Sequence, residues 1–178
     1  MNTPLHLALA HSGDLDTVKL LLQHSEDVKS LVNTVNKNQH TPLHLAAGRG
    51  NNSVTKVLLE NFSCVSEVDN DKNTPFHLAL VNSVNSDIPK LMLQSASDED
   101  KITILQIEIV GKCDIDVIKL IIGHSDDAKK VVYAANINQQ TLLHIAAKHG
   151  KNSAIKVLLD ILDNSICVSE LGNDKNTP

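Results

Sequence analysis

The amino-acid sequence predicts an all-α solenoid, in which pairs of helices stack side by side. Two observations carry this prediction. The tetrapeptide Thr-Pro-x-His recurs at Thr3, Thr41 and Thr74, and a variant without proline begins at Thr141. An apolar, helix-forming segment such as residues 18–22 follows each copy. Self-similarity at a period of about 33 residues is typical of repeat proteins whose units bury their apolar faces against their neighbours.

Each repeat is predicted to begin with a short inner helix. Threonine is a favourable N-cap, and proline fits the first helical position because no backbone N–H is needed there. Small residues such as Ala46 and Ala47 keep this helix thin enough for close stacking. Gly50 and Gly150 suit the left-handed conformation that ends such a helix. A longer, apolar outer helix then follows in each repeat.

This pattern resembles the ankyrin repeat, and the resemblance covers essentially the whole chain. It implies an ankyrin-repeat solenoid of stacked helix-turn-helix units with β-hairpin-type loops. The expected repeats are approximately residues 2–40, 41–73, 74–102, 103–140 and 141–176, with the start of a sixth at 177–178. We expect them to form one array over residues 1–178. Because both ends interrupt the motif, we expect a fragment of a longer array.

A three-repeat block is duplicated with an offset of 100 residues. Residues 3–60 and 103–160 are identical at 26 of 58 positions, which indicates a duplication rather than independent repeats. Repeats one and four also share an insertion after the outer helix, at residues 25–32 and 125–132. A serine, acidic residues and spaced apolar residues predict one added helical turn there, with the serine as the cap.

Repeat four departs from the pattern. It lacks the proline and histidine after Thr103, and Glu108 occupies a position where alanine is usual. Replacing Glu108 by alanine is therefore expected to raise stability. The link from Leu93 to Thr103 is too short for a hairpin, so we expect a distorted joint there.

The glycine that is usual in the hairpin is also absent from these repeats. Gln39, Lys72, Gln139 and Lys175 stand in its place. Since asparagine and aspartate tolerate the left-handed conformation, we expect the preceding residues to adopt it. These are Asn38, Asp71, Asn138 and Asp174.

Composition excludes several classes of function. The formal net charge of −5 argues against a nucleic-acid-binding surface, which needs a basic stripe. No apolar run approaches the length of a membrane span, and we expect no secretory leader. Cys64 and Cys167 are equivalent positions in two copies, so a disulfide between them is not expected. A reducing, cytoplasmic environment fits this cysteine usage.

The histidines are not arranged for catalysis or metal binding. His6, His44, His77 and His144 recur at one repeat position, about 10 Å apart by sheet-like stacking, so they cannot converge on a metal. The resemblance implies instead a hydrogen bond that ties the helix start to the adjoining turn. His24 and His124 follow outer helices, where a histidine suits the helix dipole.

Two apparent catalytic combinations are also unconvincing. Residues 123–127 hold histidine, serine and aspartate together, but adjacency in sequence is not triad geometry. A pair of Cys113 with His11 or His149 lacks an orienting carboxylate. We therefore expect no enzyme activity, no cofactor and no metal.

The resemblance implies a protein partner, bound by the hairpin tips and the exposed side of the inner helices. Carried over by position, the candidate residues are His11, Lys37, Asn38, His40, Arg49, Asn70, Asp71, Asn73, Asn82, Ile137, Asn138, Gln140, Lys148 and His149. Arg49, Lys148 and His149 are the strongest anchors, and they favour an acidic patch on the partner. The surface is otherwise polar, and aromatic residues make up only 2% of the chain, so few aromatic hot spots are expected.

The leading interpretation is a non-enzymatic, monomeric scaffold for protein–protein interaction. The abundance of Asn, Lys and Ile resembles the ankyrin proteins that obligate intracellular bacteria direct at a host, which implies delivery into a host cell. Two alternatives remain open: the substrate-recruiting arm of an enzyme whose catalytic domain lies outside this segment, and a structural or self-associating array. Fold alone does not separate them.

Overall fold

Every regular element in the described residues is an α-helix, which confirms the all-α prediction. The computed structural model describes residues 1–61, 63–82, 87–136 and 138–163. The helices are α1 (Pro4–His11), α2 (Leu15–Gln23), α3 (Val28–Asn33), α4 (Pro42–Gly48), α5 (Asn52–Glu60), α6 (Pro75–Asn82), α7 (Ile88–Ser95), α8 (Asp98–Val110), α9 (Ile115–Gly123), α10 (Ala128–Tyr133), α11 (Leu142–Lys148) and α12 (Asn152–Asp163). Within those ranges, no helix combines the length and apolar character that a membrane crossing requires.

The chain forms two compact units. The first covers residues 1–96 and contains α1 to α7, and the second begins at Ser97 and contains α8 to α12. The boundary falls inside the stretch from Leu93 to Thr103, where the sequence predicts a distorted joint. Ile137, Cys167, Asp174 and the start of a sixth repeat at 177–178 lie outside the described residues.

In the first unit, helices of the same kind pack against each other in chain order. The inner helices α1, α4 and α6 form one row, and the outer helices α2, α5 and α7 form another. Each inner helix also packs against its own outer helix, which gives the stacked pairs that the repeat predicts. Leu5, Leu43 and Phe76 are fully buried between these rows. Each such side chain contributes about 1.5–3 kcal/mol to stability through removal from water.

The second unit is built from the same two kinds of helix. The inner helices α8 and α11 pack together, and the outer helices α9 and α12 do the same. Branched aliphatic residues such as Ile104, Ile118 and Ile122 fill its interior. The added helix α10 contacts all four of its neighbours, which explains why its Val131 and Val132 are fully buried.

The predicted threonine caps of α1, α4 and α11 and the predicted left-handed glycines are confirmed. Thr3 and Thr41 are N-caps with extended backbone, and proline occupies the first helical position after each. Thr141 caps α11 in the same conformation, with Leu142 in place of proline. Gly50 and Gly150 adopt positive φ angles of 68° and 63°, as predicted for residues that end the inner helix.

The insertions of repeats one and four form the added helical turns, α3 and α10. The prediction of a serine cap is wrong. Asp27 caps α3 through a hydrogen bond from the backbone N–H of Ser30 at 2.9 Å, and Asp127 caps α10 through the N–H of Lys130 at 3.0 Å. A carboxylate at this position also interacts favourably with the positive end of the helix dipole.

Helix α8 begins five residues before the threonine that the repeat pattern predicts as its cap. Ser97 is the N-cap, and it forms a reciprocal capping box with Asp100. Thr103 lies inside the helix, where its hydroxyl donates to the carbonyl of Glu99 at 2.9 Å. The acidic residues Asp98, Glu99 and Asp100 therefore form the first turn of α8.

The left-handed residue of each hairpin loop is not the one that the sequence predicts. Gln39, Lys72 and Gln139 have φ angles of 60°, 63° and 58°, so they occupy the usual glycine position in the conformation of glycine. Asn38, Asp71 and Asn138 are not among the residues with positive φ. Asp174 lies outside the described residues.

A polar side chain at the start of each loop imposes this conformation. Asp69 Oδ1 accepts hydrogen bonds from the backbone N–H groups of Asp71 and Asn73, at 2.9 and 2.8 Å. Asn36 and Asn136 make the same pair of bonds in their own loops, at 2.9 and 3.0 Å. These hydrogen bonds stabilise the closed loop and offset the cost of a left-handed backbone at a residue that has a side chain. That cost is about 1–2 kcal/mol.

Glu108 is not out of place in the inner helix. Its side chain is only 2% exposed, and Oε1 accepts a hydrogen bond from the backbone N–H of Asp114 at 2.8 Å. Asp114 is the N-cap of α9. The carboxylate therefore satisfies a backbone donor at the start of the outer helix, and the expectation that alanine would improve stability is reversed.

Candidate protein-binding surface

A threonine–histidine pair fixes the start of each inner helix. In the second repeat, the backbone N–H of Thr41 donates to Nδ1 of His44 at 3.1 Å, and the threonine hydroxyl lies 2.9 Å from the same nitrogen. The corresponding contacts recur at His6, His77 and His144. Because Nδ1 accepts a backbone N–H, the ring proton must be on Nε2.

The other ring nitrogen connects one repeat to the next. Nε2 of His6 donates to the carbonyl of His40 at 2.9 Å, and Nε2 of His44 donates to the carbonyl of Asn73 at 3.2 Å. This confirms the hydrogen-bonding role that the resemblance implies for these histidines. The hairpin loops of the second and third repeats are thereby held against the inner helices α1 and α4.

His6 and His44 are held in the neutral form. Burial lowers the pKa of His44 to about 4, and it lowers the pKa of His6 as well. The hydrogen bond from each ring to a backbone carbonyl acts in the opposite direction but does not compensate. Neutral histidine is the form that the observed geometry needs, since protonation would place a hydrogen on the accepting Nδ1.

The hairpin tips of the first unit are exposed and connected to each other. Lys37, Asn38, Asn70 and Asp71 are all exposed, as the sequence predicts. The backbone N–H of Asn70 donates to the carbonyl of Asn38 at 3.2 Å, and its side-chain amide reaches the carbonyl of Lys37 at 3.4 Å. The two tips therefore present one continuous polar edge.

His40 and Asn73 are engaged in internal contacts. Nε2 of His40 lies 3.4 Å from Oδ2 of the buried Asp69, and the His40 ring stacks on His44 with ring centroids 5.6 Å apart. Asn73 donates its backbone N–H to Asp69 and accepts a hydrogen bond from His44 through its carbonyl. Both residues are half-buried, so they support the hairpin tips more than they extend the exposed edge.

The ends of the inner helices form a second edge in the first unit. His11 and Arg49 are exposed at the ends of α1 and α4, and Asn82 is the last residue of α6. The Arg49 guanidinium donates to the carbonyl of Ala10 in the preceding repeat. This contact holds the cationic group beside α1, so Arg49 is a positioned side chain and not a freely moving one.

The second unit carries the remaining candidate residues. Asn138 is exposed in its hairpin loop, Gln140 is half-buried, and Lys148 and His149 are exposed at the end of α11. The structure thus divides the predicted basic anchors between the units, with Arg49 in the first and Lys148 and His149 in the second. Ile137 lies outside the described residues.

Equivalent residues of the duplicated blocks bridge neighbouring repeats in different ways. Asn51 donates through its side-chain amide to the carbonyl of Gly13 at 2.8 Å, while Lys151 donates through Nζ to the carbonyl of Gly111 at 2.9 Å. Gly13 has a φ angle of 60°, and its equivalent Cys113 has a φ angle of 57°. Cys113 is therefore a half-buried residue in a strained turn.

The inner helices of the first unit also carry an apolar row, of which sequence reasoning missed Leu7, Leu45 and Leu78. Leu7 in α1 is 46% exposed and Val81 in α6 is 65% exposed. Leu45 and Leu78, which occupy the position of Leu7 in the next two repeats, are half-buried. The available signal was positional: these residues stand four or seven places after the capping threonine of each repeat, on the side of the helix opposite its buried leucine.

His24 and His124 have the structural role that their position indicates. Nδ1 of His24 lies 2.9 Å from the carbonyl of Leu20, and Nδ1 of His124 lies 2.8 Å from the carbonyl of Leu120. Each ring nitrogen therefore lies within hydrogen-bonding distance of a carbonyl in the last turn of an outer helix, at the negative end of the helix dipole.

Helix pairs that stack in register, with histidines linking one pair to the next, define a helical repeat protein. Comparison with known proteins specifies the class. The family model described as Ankyrin repeats (3 copies) matches residues 5–104, and a model described as Ankyrin repeat matches residues 138–168. The chain belongs to the ankyrin repeat family, whose repeats serve as protein–protein interaction modules.

The chain is also similar to an ankyrin repeat protein of Rickettsia bellii (strain RML369-C). The two are 33% identical over 67 residues, which is 38% of this chain. The matched segment spans only 11% of the length of the Rickettsia protein.

Proposed function

We propose that this chain is a non-enzymatic scaffold that binds a partner protein through its hairpin tips and the exposed side of its inner helices. The observation that supports this most directly is the polar edge of the first unit. Lys37, Asn38, Asn70 and Asp71 are exposed together, and the hydrogen bond between Asn70 and Asn38 fixes their spacing. A preorganised edge loses little conformational freedom on binding, which favours affinity.

The charges near the inner helices favour an acidic patch on the partner. Arg49 is held by the carbonyl of Ala10, and Lys148 and His149 are exposed at the end of α11. Cationic groups at exposed positions increase the rate of encounter with an acidic partner more than they increase the affinity. The binding should therefore weaken as the salt concentration rises.

Affinity capture with a matched pair of variants tests this proposal. The first variant combines Arg49→Ala, Lys148→Ala and His149→Ala. The control combines Lys19→Ala, Lys56→Ala and Lys156→Ala, which removes exposed lysines from the outer helices α2, α5 and α12. We expect the unmodified chain and the control variant to capture a protein that the first variant does not capture. Equal capture by both variants would contradict the proposed surface.

A more specific form of the proposal is a bacterial effector that binds a host protein. The similarity to a Rickettsia bellii protein supports a bacterial origin for this type of array. Capture from host-cell extract and from bacterial extract separates the possibilities. A specific partner found only in host extract supports an effector, and one found only in bacterial extract contradicts it.

A further inference from the structure

The inner helices of the first unit carry a continuous apolar strip. We define this strip as Leu7, Ala10, Leu45, Gly48, Leu78 and Val81. These residues stand four and seven places after the capping threonines of α1, α4 and α6. The three helices pack in that order, so the strip crosses three repeats without a gap.

The side chains of the strip differ in size and in exposure. Gly48 lies against Leu78, since a Cβ atom on Gly48 would be 3.8 Å from Cδ1 of that leucine. Ala10 occupies the same repeat position as Gly48, and both residues are half-buried. Leu7 and Val81 stand more exposed at the two ends. The small residues Ala10 and Gly48 therefore stand in the strip together with the more exposed aliphatic side chains of Leu7 and Val81.

Arg49 places a positive charge beside the strip. The described sequences of α1, α4 and α6 contain no aspartate or glutamate. His11 follows Ala10, and Arg49 follows Gly48, with its guanidinium held at the Ala10 carbonyl. The positive charge of Arg49, in a chain with a formal net charge of −5, favours an acidic occupant.

We propose that the strip binds a linear segment of a partner protein that carries aliphatic side chains and acidic residues. This inference rests on the proposed scaffold function and specifies the chemistry of its partner. Packed helices lie about 8–10 Å apart, so the strip spans roughly 16–20 Å. Extended chain rises about 3.3 Å per residue, so about six residues cover that distance. Aliphatic side chains of the segment pack on the strip, and its acidic residues lie beside Arg49.

Random twelve-residue peptides displayed on phage provide the probe. They are selected against the whole 178-residue chain, and enriched peptides are synthesised for titration calorimetry. We expect enriched peptides to combine aliphatic with acidic residues. The double variant Leu7→Ser, Val81→Ser should bind them at least about tenfold more weakly, because it removes both projecting anchors.

Leu20→Ser is the matched control, because Leu20 is 55% exposed but lies on the outer helix α2. It should leave the affinity within about twofold of the unmodified chain, and melting curves should show that all variants remain folded. The dissociation constant of the unmodified chain should also increase with salt concentration, because salt screens the attraction between Arg49 and the acidic residues of the peptide.

Other outcomes separate failure of this inference from failure of the scaffold proposal. If the peptides bind the Leu7→Ser, Val81→Ser variant with unchanged affinity but bind a Lys37→Ala, Asp71→Ala variant more weakly, the strip is not the site and the scaffold proposal stands. Unchanged affinity for both variants would overturn both proposals. Basic peptides, or no enrichment, would overturn the strip. Light scattering could instead show a dimer that the Leu7→Ser substitution dissociates. That result would identify a second copy of the chain as the occupant and would also overturn the inference of a peptide-binding strip.

Discussion

The carboxylate of Glu108 accepts a hydrogen bond from the backbone N–H of Asp114 at 2.8 Å. This contact joins the inner helix α8 to the N-cap residue of α9. In the duplicated first block, alanine stands at the position of Glu108, and the N–H of Asp14 instead meets the hydroxyl of Ser12 at 3.4 Å. The two copies thus satisfy the same backbone donor with different side chains.

Glu108→Ala should lower the free energy of unfolding by about 1–3 kcal/mol, because it leaves a backbone N–H without its acceptor. Glu108→Gln is the control, since its amide oxygen can still accept the bond. Urea denaturation measures both variants. An alanine variant more stable than the unmodified chain would show that burying the carboxylate costs more than its hydrogen bond contributes.

Acid should destabilise the first unit through His44. Its folded pKa is about 4, below the ordinary value of 6.5, so the unfolded chain binds the proton more readily. Stability is therefore fully present above pH 6.5 and is lost as the pH falls towards 4. The loss amounts to about 3 kcal/mol for this residue.

NMR titration of the imidazole signals tests this prediction together with urea denaturation at several pH values. His44 should remain neutral through about pH 5, since its folded pKa lies lower. His44→Gln should flatten the pH dependence of stability in this range, although it lowers stability at neutral pH. A His44 signal that titrates near the ordinary value of 6.5 would contradict the prediction.

Cys113→Gly should stabilise the chain by about 1 kcal/mol. Cys113 has a φ angle of 57°, which glycine adopts without the steric cost of a Cβ atom. The greater flexibility of glycine in the unfolded chain offsets part of this gain. Gly13→Ala is the reciprocal test, since its Cβ would lie 3.2 Å from Nδ2 of Asn51 in a left-handed backbone. It should lower the melting temperature, whereas an unchanged value for both variants would argue against strain in these turns.

Thr55→Val should stabilise the first unit by about 1 kcal/mol. Thr55 is fully buried in α5, and its hydroxyl has no hydrogen-bond partner among the described residues. Valine has nearly the same shape and removes the cost of a buried, unsatisfied hydroxyl. The duplicated block has Ile155 at this position, which shows that an aliphatic side chain is compatible with the repeat. A lower melting temperature for the variant would indicate that the hydroxyl has a partner.

Local patterns predicted much of the fold. The Thr-Pro-x-His motifs located the inner helices because capping and proline preferences act over only a few residues. The insertions predicted α3 and α10 for the same reason. The start of α8 was misplaced because the repeat register was extended through Thr103, although the Ser97 and Asp100 capping pair is readable in the sequence.

Side-chain hydrogen bonds to nearby backbone groups, and the packing of neighbouring helices, account for the features that the sequence did not predict. The left-handed conformation of Gln39 and Lys72 depends on side-chain bonds from Asn36 and Asp69 across the whole loop. The role of Glu108 depends on the turn that follows its helix. In the candidate surface, the exposed hairpin residues were recognisable by position, but the exposure of Leu7 and Val81 depends on how neighbouring helices pack.

Site-specific photocrosslinking tests the central claim, partner binding by the hairpin tips and inner helices, most directly. A photoreactive amino acid in place of Asn38 or Leu7 samples the proposed surface, and the same amino acid in place of Lys19 or Lys56 samples the outer helices. In cell extract, we predict that the Asn38 and Leu7 positions crosslink the same partner protein and that the outer positions do not. Crosslinking of that partner mainly from Lys19 or Lys56 would place binding on the outer helices and contradict the claim.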